Sequence, residues 1–185
     1  KYVKLTFKSF VHKCWRLGDE NGIELTDDYV FNEDAKVYAI GQERLVTITI
    51  KADEGYTIIE PSFQVKYDTE WDEKKGDVKD IAESKVKLTE NFNSGLWRFD
   101  NKDGDYVYSS YKFKEDKTIF ATSYRKKEAY DVEHWQENAE DDGFTLVKTS
   151  QHQGEAGKYT EATAEEYEGF TPLPIEQKLL KAVPS

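Results

Sequence analysis

The sequence predicts an α+β chain, predominantly β, arranged as tandem small modules that each hold a mixed sheet and a short helix. Three observations lead there. Short segments alternate strictly between apolar and polar residues, as in Val46-Thr47-Ile48-Thr49-Ile50, which is the pattern of a half-buried strand. A 25-residue stretch occurs twice, so the chain is built from recurring units. Finally, 34% of the 185 residues are charged and only 37% hydrophobic, yet there are 4 Trp, 12 Tyr and 10 Phe. Large rings give small cores the buried area that a modest aliphatic content does not.

The repeat organises the rest. Residues 15–39 read WRLGDENGIELTDDYVFNEDAKVYA and residues 97–121 read WRFDNKDGDYVYSSYKFKEDKTIFA. At an offset of 82, Trp15, Arg16, Gly22, Tyr29, Phe31, Glu33, Asp34 and Ala39 recur as Trp97, Arg98, Gly104, Tyr111, Phe113, Glu115, Asp116 and Ala121. The tetrapeptide VKLT at residues 3–6 returns at 86–89, offset by 83, so one residue was gained or lost between. Trp15, Tyr29, Phe31, Trp97, Tyr111 and Phe113 are therefore expected to be the structural anchors of the two copies. Cys14, whose counterpart is Leu96, is expected to be a packing residue; a single cysteine forms no intramolecular disulfide.

One full unit spans residues 44–127. Its first strand holds Val46, Ile48 and Ile50, Asp53-Glu54-Gly55 turns the chain, and Phe63, Val65 and Tyr67 alternate in a second strand. A helix is expected next, capped by Thr69, with Glu70, Asp72 and Glu73 in its first turn and Trp71, Val78, Ile81 and Ala82 near one face; Gly76 weakens its middle. Strands follow at 86–88 and 96–99, then a hairpin through Asp103-Gly104 and a last strand at 118–123. The order ββαβββ is the pattern of a β-grasp module, a mixed sheet with one helix packed across it.

Residues 1–43 contain only the second half of such a unit, so an incomplete sheet edge is expected there. The chain starts at Lys1 with no visible signal peptide and reads as an excised or processed fragment. Residues 128–185 form a different, acidic unit. Strands at 130–137 and 144–152 are joined by the turn Glu140-Asp141-Asp142-Gly143. A short helix is expected at 160–167, ended by Gly169 and followed by extended chain at Pro172 and Pro174, with no closing strand after Leu180.

Charge narrows the function classes. The net charge is −11, of which residues 128–185 contribute −9 (13 acids against 4 lysines). Such a chain is unsuited to nucleic acid or anionic lipid, and no run of about 18 apolar residues offers membrane insertion. Catalytic chemistry finds no support. No nucleophile elbow or phosphate loop occurs, and the acidic pairs Glu33-Asp34 and Glu115-Asp116 recur just before a strand, as turn residues would. No metal site or cofactor is expected. His134 and His152 with Glu133 lack a further ligand at metal-binding spacing. Asn101, Asp103 and Asp105 alternate as in a calcium loop, but Tyr106 stands where glycine is needed, which favours a plain hairpin turn. Trp135 lies on a strand whose other face holds Tyr130 and Val132. It is thus the candidate ligand contact, able to stack on a sugar or anchor a protein.

Two resemblances complete the reading. The pattern W-x-L-x-x-x-x-G from Trp15, with Tyr29-Val30-Phe31, Glu33-Asp34 and Val37-Tyr38-Ala39, and its second copy from Trp97 to Ala121, resembles the internalin B-repeat, also called the Listeria–Bacteroides repeat, over residues 1–126. Residues 128–185 are similar to mucin-binding-protein-like repeats through Val132-Glu133-His134-Trp135-Gln136, Gly154-x-x-Gly157 and Ala164-x-x-Tyr167-x-Gly169-Phe170-Thr171-Pro172. The resemblance implies ubiquitin-like β-grasp modules, on the bacterial surface and outside the cell, that adhere or space without catalysis. The expected partners are a host protein or glycan and neighbouring repeats of the same parent protein. The main expectation is an adhesive module; the alternative is a mechanical spacer, whose stability is a sum over units.

Overall fold

Alternation in the first complete strand sets the position of the core. In the computed structural model of the protein, which describes residues 8–72 and 77–183, Val46, Ile48 and Ile50 are all buried on one face while the residues between them are not. The described residues are predominantly β with one short helix: Phe10–Leu17 (β1), Val37–Glu43 (β2), Leu45–Ala52 (β3), Tyr56–Ile58 (β4), Ser62–Lys66 (β5), Thr69–Glu70 (β6), Val78–Ser84 (α1), Val86–Leu88 (β7), Phe92–Phe99 (β8), Lys112–Phe113 (β9), Lys117–Arg125 (β10), Lys127–Glu137 (β11) and Phe144–Glu155 (β12). The VKLT copy at residues 3–6 lies outside the described residues, as do positions 73–76 of the expected helix.

The largest sheet has the order β5-β3-β10-β8. Its central pair, β3 and β10, runs parallel with Ile48 opposite Lys117 and Ile50 opposite Ile119, while both outer pairs are antiparallel. One face of this sheet is covered by α1, which places Val78 and Ala82 against Val46, Ile48, Ile50 and Ile119. Trp71 plugs the end of that layer at 3% exposure, edge-on to Trp97 at 5.7 Å between ring centroids and 6.3 Å from Phe113. Each such ring contact adds about 0.5–1.5 kcal/mol to the gain from area burial.

The helix is shorter than the sequence pattern suggests. Thr69 does not cap it; Thr69 and Glu70 form β6 opposite β9, and Asp77 holds the N-cap position. The amide of Asp68 donates to Phe113 O at 2.7 Å, and that of Trp71 to Tyr111 O at 2.9 Å. These backbone bonds to a distant segment outweigh the local helix signal of Thr69 and its acidic followers. The two-residue strands β6 and β9 and the three-residue β4 leave too little alternation to be read from sequence, whereas β7 falls at the expected 86–88.

The two copies of the repeat agree bond for bond. The pairings Trp15 with Ala39, Arg16 with Tyr38 and Leu17 with Val37 recur as Trp97 with Ala121, Arg98 with Phe120 and Phe99 with Ile119. Leu17 N–H donates to Ile23 O at 2.9 Å, and Phe99 N–H to Asp105 O at 2.8 Å. The arginine tucked under each turn also recurs: Arg16 Nη1 donates to Gly22 O at 3.3 Å and Arg98 Nη1 to Gly104 O at 2.8 Å. The glycine itself is a steric necessity. A Cβ would sit 1.6 Å from Leu17 O at Gly22 and 1.9 Å from Phe99 O at Gly104.

What differs is the covering. Phe113 is fully buried, whereas Phe31 is 50% exposed and Tyr29 40% exposed. Trp15 is half-buried and packs on His12 at 5.2 Å. The anchors expected at Tyr29 and Phe31 thus lie at the surface, because among the described residues β1 and β2 form a two-stranded sheet with nothing in the place of β3 and α1. Cys14 is buried as a packing residue should be, yet its counterpart Leu96 is exposed, so the repeat does not explain the burial of that cysteine.

In the last unit β11 and β12 form a long antiparallel hairpin, turned by Asp141 and Gly143 at positive φ. The helix expected at 160–167 is absent. Thr160 N–H instead donates to Lys178 O at 2.8 Å, and Gln177 clamps Ala162 from both sides of its amide, donating to Ala162 O and accepting from Ala162 N–H. The segment is extended because it pairs with residues 177–180, where Tyr159 bridges Leu179 and Leu180 is buried. The chain after Gly169 therefore returns to the unit.

Candidate functional site

The alternation along β11 decides which side chains face out. Val132 and His134 are buried on its inner face, so Glu133, Trp135 and Glu137 point outward, and Trp135 is 53% exposed. An irregularity in the ladder adds to this. His134 lies opposite Lys148 and Trp135 opposite Leu146, so β12 carries an extra residue, Val147, beside the tryptophan. Bulges re-aim the side chains next to them.

Trp135 lines one wall of a cleft of about 530 Å³. Phe144 comes from the start of β12, and Tyr167, Phe170, Pro172 and Leu173 come from the returning chain. Phe144, Phe170 and Leu173 are all exposed, so the cleft presents several apolar groups together. Gly169 adopts φ 83°, which bends the chain after Tyr167 and aims Phe170 at this cleft; Phe170 N–H donates back to Tyr167 O at 3.1 Å.

Polar groups frame the aromatic surface. The indole N–H of Trp135 donates to Glu133 Oε2 at 3.1 Å, fixing the ring while leaving its face open. Glu165 accepts from the Lys148 ammonium and from the Tyr167 hydroxyl, the latter at 3.0 Å. These two bonds hold the Glu165 carboxyl below its ordinary pKa. Desolvation, followed by the Glu165 bond, raises Tyr167. The network ties the returning chain to β12 and keeps Tyr167 edge-on to His134 at 6.4 Å.

Among the described residues the other candidate groups lie apart. His134 lies opposite Lys148, and His152 opposite Tyr130 on which it stacks at 5.6 Å, so the hairpin separates the two imidazoles. Among the described residues no group of three His, Cys, Asp or Glu side chains converges on one point. Asn101 accepts from the Asp103 amide at 2.9 Å and Gly104 N–H donates to Asn101 O, which makes this stretch a hairpin turn. Asp116 has a structural use: its carboxylate accepts the Thr47 amide at 2.7 Å, tying β3 to the turn before β10. A second groove, of about 600 Å³, runs between α1 and β8, but its Lys79 and Asp72 are paired with each other at 3.0 Å and its floor is the buried Trp71.

Sequence reasoning singled out Trp135 and missed its neighbours. Phe170 and Pro172 stand in a recognisable run after Gly169, but their approach to Trp135 depends on the 160–180 return, where the sequence predicts a helix at 160–167. No protein-family model, curated protein or solved structure matches this chain.

Proposed function

We propose that the chain is a non-catalytic stretch of an extracellular bacterial surface protein, with an adhesive face centred on Trp135 that binds a host protein or glycan. The cleft carries this reading: an exposed indole, held by Glu133 and flanked by Phe144, Phe170 and Leu173, is what an anchor for a sugar ring or a partner side chain requires. A pure spacer has no need of a clustered aromatic surface and favours dispersed charge. Its acidic rim, Glu133, Glu137 and Glu165, suits neutral or basic ligands.

In this reading the modules are β-grasp-like and arranged in tandem. The order β5-β3-β10-β8 with a parallel central pair and α1 across one face supports it for residues 44–127. The internalin B-repeat-like and mucin-binding-protein-like assignments rest on sequence motifs alone.

The test is binding of the purified chain to an array of host matrix proteins and glycans at physiological salt. The proposal expects a saturable ligand whose binding is lost on Trp135→Ala with folding unchanged. Silence across the array from a cooperatively folded chain would support the spacer reading.

A further inference from the structure

β2 and β10 are the same strand of the repeat, but they meet different surroundings. β10 pairs with β8 on one side and with β3 in parallel on the other; β2 pairs with β1, and among the described residues its second edge has no partner. The side chains record the difference: Ile119 is fully buried, whereas its counterpart Val37 is 42% exposed. The rings keep their mutual geometry regardless. Tyr29 and Phe31 meet edge-on at 5.0 Å, as Tyr111 and Phe113 do at 4.9 Å. In the complete unit Trp71 then closes on Phe113, Thr69–Glu70 pairs with β9, and Asp116 takes the Thr47 amide. The receiving groups, Phe31, Val30 and Asp34, are present in the first copy.

We propose that the second edge of β2, with Trp15, Tyr29 and Phe31, is a docking surface for the first half of another unit of the same repeat. The occupant is a strand–strand–helix segment of the kind that residues 45–84 form. Its first strand runs parallel to β2, places alternating aliphatic residues over Trp15 and Phe31, and offers an amide to Asp34. The second copy shows what covers this face, because there the same receiving groups hold that segment. An exposed strand edge beside an apolar face is a template for such strand addition. The inference rests on the internal repeat and is independent of the Trp135 reading.

The test joins a second copy of residues 44–85 directly to Val3, the point where residues 86–89 recur as 3–6. Hydrogen exchange of β2 and solution mass are then compared between the extended and original chains. Docking predicts that the β2 amides left unpaired by β1 slow by about tenfold or more in the extended chain, which stays monomeric. Changing Ile48 and Ile50 of the added copy to lysine should abolish that slowing. So should Phe31→Lys in the extended chain, a substitution that the original chain tolerates because the ring is exposed. Unchanged β2 exchange in the extended chain overturns the proposal, as does protection that survives the lysine changes. A concentration-dependent dimer of the original chain with β2 already protected also overturns it, by making a second whole chain the occupant.

Discussion

Residues 8–43 and 90–125 form the same local structure, with the same ladder register, the same turn bonds and the same tucked arginine, yet only the second is part of a core. Local conformation and burial are thus set separately in this fold. The turn around Gly22 or Gly104 is specified by nearby residues: a glycine that alone fits, an arginine that caps the carbonyl, and an Asp19 or Asn101 side chain that accepts from the amide two residues on. Burial is specified from elsewhere. Phe113 reaches zero exposure because β3, β6, Trp71 and α1 close over it, and Phe31 stays half exposed without them.

Equivalent substitutions should break this comparison in proportion to burial. The largest effect is expected at Phe113→Ala, which empties a filled core and should cost about 3–5 kcal/mol; Phe31→Ala should cost less than about 1 kcal/mol. Urea denaturation of the two variants checks the pair, and equal costs would show that the first copy is covered as well. Trp71→Ala should fall close behind Phe113→Ala, at about 3 kcal/mol, since it uncovers Trp97 and Phe113 together; a red shift in tryptophan emission would report the exposure of Trp97.

A smaller contrast is expected at the acidic turn. Asp116→Ala deprives the Thr47 amide of its partner and should cost about 1 kcal/mol, whereas Asp34→Ala should be nearly neutral by the same denaturation assay. Smaller still is the pH response of the last unit. Because the folded Glu165 carboxyl lies below its ordinary value, its contribution is complete above the unfolded pKa near 4.5 and is lost as pH falls through the depressed folded value. Melting of the chain between pH 7 and pH 3 should therefore show a slightly steeper acid loss than Glu165→Gln, which lacks that titration. Exposure of the Lys148 pair keeps the difference small.

The elements that could be read from sequence were those whose pattern is local. Strict alternation marks β3 and β5, and Asp53-Glu54-Gly55, Asp103-Gly104 and Glu140-Asp141-Asp142-Gly143 mark turns, the last joining β11 and β12, since in each case neighbours in the chain decide the conformation. The failures came where distant residues decide. Thr69 carries a helix-start signal but is claimed by β9, and the polar stretch at 160–167 has helix-compatible composition but is held extended by Gln177 and Lys178. Trp135 could be placed outward from the parity of its strand. Its cleft could not, because Phe144, Phe170 and Leu173 reach it through a turn and a return that leave no periodic trace.

One local structure exists in this chain in a covered and an uncovered form, and residue-resolved hydrogen exchange on the intact chain distinguishes the two. The β10 amides that face β3 should exchange only through global opening, while their counterparts 82 residues earlier, on the second edge of β2, should exchange orders of magnitude faster, within about a hundredfold of an unstructured peptide. Matching protection in the two strands would contradict the account.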